Sequence, residues 1–174
     1  MKGRLYGTTS EGGTHEGQGT VFSISTTGTE HVLHSFGYDT DGAHPRASLA
    51  NVNGTFYGTT QNGGSDGQGT AFSISTTGTE HVLHSFDYAY DGAEPLASLI
   101  DVKGTLYGTT SGGPYTEGTV FSISTTGTEH VLHTYGYPYD GADPVASLID
   151  VKGTLYGTTN GATLGYGTVF TLSP

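Results

Sequence analysis

The chain has no cysteine, no tryptophan, one methionine and only 5 lysines and arginines in 174 residues. Without cysteine there are no disulfides, no thiol nucleophile and no cysteine-ligated zinc. Few basic residues stand against 16 acidic ones. Nucleic acid and anionic membrane are both held by positive surfaces, so neither is expected as a main partner. No apolar run approaches the roughly 20 residues of a bilayer-spanning helix, and no membrane insertion is expected. The opening MKGRLYGTT lacks the apolar segment of a secretory leader. Helical patterning is missing as well, since apolar residues nowhere recur at i, i+3, i+4 and i+7.

What remains is rich in 30 glycines and 12 tyrosines, with abundant threonine and serine. Threonine and tyrosine favour strands, and glycine punctuates them. The length suits one domain, residues 1–174, with enough chain to bury a core. The expected class is all-β.

Repetition refines this. GRLYGTT at Gly3 returns as GTFYGTT at Gly54 and as GTLYGTT at Gly104 and Gly153, at spacings of 51, 50 and 49. A period near 50 residues with several strands per unit points to propeller blades. The second unit reads as strand A over 47–52, strand B over 55–60, strand C over 70–75 and strand D over 79–86. Asn-Gly and Lys-Gly turns join A to B, and Asn-Gly is a favoured two-residue hairpin turn. Along the chain the strands run BCD, ABCD, ABCD, ABC. That predicts a small propeller of about four blades, the last unit incomplete, with a β-solenoid as the competing architecture. A four-bladed ring could close, or two copies could build a larger one. The end blades leave open edges that invite a homo-oligomer.

The ordered motifs GTLYGTT, GTVFSIS, TEHVLHSF and DGAEPLASLI resemble the GloVer tandem repeat of bacterial surface-anchored or secreted proteins. The resemblance implies a propeller-like repeat and an extracellular or cell-envelope setting. It implies no particular reaction.

The copies differ mainly in the B–C loops (10–18, 61–68, 111–117, 160–166) and the D–A loops (37–46, 87–96, 136–145). In a propeller these lie on one face, where binding usually resides. Eleven of the 16 acids fall there, and Arg46 is the one base among them. With the loop tyrosines they suit a carbohydrate or another small polar ligand. Carboxylates accept hydrogen bonds from hydroxyls, and ring faces stack on sugar C–H surfaces. Tyr38, Asp41, Tyr88, Tyr90, Asp91, Tyr137, Tyr139 and Asp140 are the expected binding residues. No cofactor is required, although a divalent cation could sit at the acidic loops, with Asp39, Asp41, His15 and His44 as ligands. The sequence DTDG at 39–42 lacks the rest of an EF-hand loop. The competing reading is a hydrolase, glycosidase-like or metal-assisted, drawing on Asp91, Glu94, Asp140, Asp143 and His44. A third reading is a structural repeat without a ligand.

Six of the eight histidines fall in the repeated TEHVLH. Two histidines three apart on a strand point to opposite faces and cannot share a metal. Strict alternation groups His84 with Val82 and Phe86, and His81 with Leu83. His34, His84 and His133 are therefore expected between blades, each donating one hydrogen bond to backbone, with His81 near the rim.

Overall fold

The structure, a computed structural model, describes residues 3–113, 117–136, 140–161 and 166–174. Its strands are β1 (Arg4–Thr9), β2 (Thr20–Ser25), β3 (Glu30–Ser35), β4 (Ala50–Val52), β5 (Thr55–Thr60), β6 (Thr70–Ile74), β7 (Glu80–Ser85), β8 (Ile100–Val102), β9 (Thr105–Thr110), β10 (Thr119–Ser124), β11 (Glu129–Thr134), β12 (Ile149–Val151), β13 (Thr154–Thr158) and β14 (Val169–Leu172). They form four antiparallel sheets in the orders β1-β2-β3, β4-β5-β6-β7, β8-β9-β10-β11 and β12-β13-β14. The fold is all-β and propeller-like, and the strands divide among the sheets as the repeats predict.

Local chemistry sets each hairpin. In the A–B turns Asn53, Lys103 and Lys152 take φ of 51°, 56° and 57°, each followed by a glycine at positive φ. Two successive positive φ angles make the tight turn whose twist matches the strands. Asp101 and Asp150 brace two of these turns by accepting the amides of Gly104 and Gly153, both at 2.8 Å.

The glycine of each LYGTT or FYGTT motif has a packing reason. Gly108 pairs across strands with Phe121, and the phenylalanine ring lies over it. A Cβ on Gly108 would come within 2.6 Å of Phe121 Cζ. The same pair recurs as Gly58 with Phe72 and Gly157 with Phe170.

The second and third sheets use both faces, and the first and fourth use one. Leu106, Phe121 and Ile123 of the third sheet meet Tyr57, Ala71 and Phe86 of the second. Phe56, Phe72 and Ile74 of the second meet Val21 and Phe36 of the first. Leu155 of the fourth meets Tyr107, Val120 and Tyr135 of the third. One face thus carries Leu or Phe, Phe and Ile, and the opposite face carries Val or Ala and Tyr. A strands touch A strands, and Ser48 N–H donates to Ser98 Oγ at 2.9 Å as Ser98 N–H does to Ser147 Oγ at 3.1 Å. The D–A loops lace neighbours together. Ala43, Ala93 and Ala142 donate to the carbonyls of Asn62, Gly112 and Gly161 of the next sheet, each at 2.7 Å.

One open alternative is decided and one expectation changes. The four sheets do not close on themselves, because the outward faces of the first and fourth remain exposed at Leu5, Ile149 and Val169. Strict alternation also fails in the D strands. Phe72 pairs with Val82 but Ala71 pairs with His84, so Leu83 is an extra residue in a β-bulge. Bulges re-aim side chains. His84 therefore leaves the face of Val82 for that of Ala71, toward the third sheet, while Leu83 packs into the cluster formed there and His81 is exposed.

Candidate functional site

The repeated histidines are bound by carboxylates and not by backbone. His34 Nε2 lies 3.1 Å from Asp41, His84 Nε2 2.6 Å from Asp91, and His133 Nε2 3.1 Å from Asp140. An ionised carboxylate only accepts, so the Nε2–H donates. The carboxylate reaches this position because it also closes the D–A loop. Asp91 Oδ1 accepts the amide of Asp87 at 2.7 Å, and Asp140 Oδ1 accepts that of Gly136 at 3.0 Å. Asp41 accepts the amide of Gly37 in the same way, at 3.1 Å. Each imidazole then stands edge-on to an aromatic ring, Phe36, Phe86 or Tyr135, at centroid distances of 4.8, 5.0 and 4.7 Å.

A third group arrives from the next sheet. Glu129, first residue of β11, brings a carboxylate oxygen within 4.8 Å of the ligand atoms of His84 and Asp91. Among the described residues no other three His, Asp or Glu side chains gather so closely. Burial raises the Glu129 pKa to about 7, with His84 opposing and Asp91 adding to the shift. Burial, reinforced by Asp41, likewise raises Glu80 to about 7. Glu80 Oε1 and Glu129 Oε1 are buried and have no hydrogen-bond partner among the described residues. A cation could in principle bridge His84, Asp91 and Glu129. The direct 2.6 Å bond between His84 and Asp91 latches β7 to the loop that follows it, and Glu129 of the next sheet stands beside that pair.

The proposed binding residues fall into two groups. Asp41, Asp91 and Asp140 are committed to the histidine latches, and Asp91 is only 8% exposed. Tyr38, Tyr88 and Tyr90 are exposed on the D–A loops, Tyr90 at 85%. Tyr137 and Tyr139 lie outside the described residues. His44, Glu94 and Asp143 hold one position in successive D–A loops, with φ of 54°, 53° and 51°. Their amides donate to the carbonyls of Gln18, Gln68 and Glu117 at 2.8, 2.9 and 2.7 Å. Glu94 also accepts from Gln61 Nε2 at 3.1 Å. The suggested metal set of Asp39, Asp41, His15 and His44 does not assemble, since no three of these side chains come together. Asp41 is turned instead onto His34.

His15 and Asp39 do share an open cleft of about 670 Å³, lined also by Thr14, Glu16, Gln18, Gly37 and Tyr38. Gln18, one of the lining residues, has its Oε1 buried without a partner among the described residues. A buried acceptor left unpaired is costly. Tyr38 reaches the cleft from a backbone φ of 78°, unusual for a bulky residue. Its amide is tied to the carbonyl of Gly42 at 3.0 Å.

Sequence reasoning missed the latch. The signal was there as a constant seven-residue spacing, His34 to Asp41, His84 to Asp91 and His133 to Asp140, and as the glutamate opening each D strand.

Fold and loops together define a repeat protein of stacked, propeller-like sheets with a loop-bearing acidic face. The chain belongs to the Gloeobacter/Verrucomicrobia repeat family, whose model matches residues 1–172. Among curated proteins nothing matches. A crystal structure of a protein from Lactobacillus plantarum is similar at 16% identity, with a TM-score of 0.49. The match covers 100% of this chain and 54% of that one, so the chain spans about half of that protein's length.

Proposed function

We propose that the chain is a binding or adhesion module that holds a carbohydrate on its loop face, in an extracellular or cell-envelope setting. The observation that carries this is the cleft of Tyr38, His15, Glu16, Gln18 and Asp39. An exposed ring offers a stacking surface, and two carboxylates offer acceptors to vicinal hydroxyls. A few convergent polar groups beside an aromatic wall are the usual make-up of a small-ligand site. The acidic face disfavours anionic ligands, with a net charge of −11 for the chain.

A glycan array probed with the full chain tests the reading, followed by calorimetry on the best ligand. Tyr38→Ala is expected to weaken binding tenfold or more, about 1.4 kcal/mol, with the circular dichroism spectrum unchanged. Repeating the titration with EDTA reports whether a cation takes part. No glycan bound, or an affinity indifferent to Tyr38, defeats the proposal.

A further inference from the structure

We propose that the outward face of the fourth sheet binds the outward face of the first sheet of a second copy of this chain, head to tail. The surfaces on offer are those the molecule already joins internally. In the junction of the third and fourth sheets, Val120 is 0% exposed and Tyr107 is 9% exposed. Their counterparts on the fourth sheet, Val169 and Tyr156, are 77% and 36% exposed. Ile100 and Val102 pack in that same junction, whereas Ile149 and Val151 are 60% and 47% exposed. At the opposite end Leu106 is 0% exposed in its junction while Leu5, its counterpart in the first sheet, is 68% exposed.

The two open faces are complementary, not alike. Each internal junction seats a face of Leu or Phe, Phe and Ile on a face of Val or Ala and Tyr. The first sheet presents the former set as Leu5, Phe22 and Ile24, in a GTVFSIS identical to that of the third sheet. The fourth presents the latter set. No internal junction pairs two faces of one kind, so a symmetric face-to-face dimer has no precedent in the molecule. A repeat array needs something over its terminal faces, and the cover whose shape is already proven here is another sheet of the same sequence. Such a contact is heterologous and closes into a ring or extends with copy number.

One feature of the first sheet eases this junction. Internally each D strand brings in a half-buried glutamate, Glu80 or Glu129. The fourth sheet has no D strand among the described residues. Glu30, exposed at the start of β3, therefore has no histidine–carboxylate pair to face and stays in water.

Sedimentation equilibrium on the full chain over roughly 1 to 200 μM tests the proposal. Wild type is expected to self-associate, more tightly at high salt because two acidic copies repel. Leu5→Glu and Val169→Glu change exposed positions and leave the fold intact by circular dichroism. Each alone is expected to be monomeric over the same range. Mixed together they restore a dimer, because the intact fourth-sheet face of Leu5→Glu meets the intact first-sheet face of Val169→Glu. A wild type that stays monomeric, a single variant that still associates, or a mixture that does not, each overturns head-to-tail docking.

Discussion

The junction between the second and third sheets and the open face of the first sheet are built from nearly the same residues. Phe121 and Ile123 are fully buried in the junction. Phe22 and Ile24, in an identical heptapeptide, are only partly buried. Burial here is a property of the neighbour and not of the strand. The sheet forms either way, because its hairpin turns and its Phe-on-Gly pairs are local to the blade. What the neighbour adds is the second half of a core. That separates what each repeat can do alone from what only stacking supplies.

The sharpest way to break this comparison is to remove the same side chain from both places. Phe121→Ala is expected to cost about 3–5 kcal/mol, since it empties a packed core. Phe22→Ala at the open face is expected to cost less than half of that under conditions that keep the chain monomeric. Urea denaturation of the two variants checks it, and equal losses would mean that the junction adds little.

Asp91 and Asp140 make the next contrast. Both close a D–A loop and hold a histidine, but their side chains are 12% and 38% exposed. Asp91→Ala leaves the Asp87 amide and the His84 ring without their acceptor and is expected to cost about 2–3 kcal/mol. Asp140→Ala, where water can replace the carboxylate, is expected to cost about 1 kcal/mol. The same urea titrations decide it.

Tyr135 offers a gain. It replaces Phe36 and Phe86 at the end of the third D strand and is 1% exposed. Its hydroxyl has no partner among the described residues, and burial pushes its pKa up. Tyr135→Phe restores the residue that the other two copies use and is expected to stabilise by about 1 kcal/mol. A loss of stability would reveal a partner for the hydroxyl.

The blade was legible in the sequence because its causes are local. Asn53-Gly54 and Lys103-Gly104 announced their turns, and the strand order followed from the repeat. The latch was not legible, for two reasons. The bulge at Leu83 breaks the period of two on which any assignment of strand faces rests. The partner of His84 then lies in the loop beyond the strand, and Glu129 comes from another repeat altogether. Acidic residues counted together as one ligand-binding face thus divide by geometry. Asp41, Asp91 and Asp140 turn inward to the fold, while Glu16 and Asp39 line a cleft. No composition argument distinguishes them.

The smallest effect separates the inner junctions from the open end by pH. Glu80 faces Asp41 and its partner His34, and Glu129 faces His84 and Asp91. Both glutamates are raised in the folded state to about 7 from 4.5. The folded chain therefore holds protons that the unfolded chain has released, and stability falls as pH rises from about 4.5 to about 7 before levelling off. Both groups are only half-buried, so water screens much of the penalty and the fall is shallow. Glu80→Gln with Glu129→Gln keeps the shape and removes the charge. The melting temperature of that double variant is expected to drop less between pH 5 and pH 8 than that of wild type. Glu30→Gln, at the same strand position but with no sheet packed above it, is expected to leave the profile unchanged. Calorimetry across that pH range reads both, and an equal flattening by Glu30→Gln would place the effect in general surface charge instead of in the junctions.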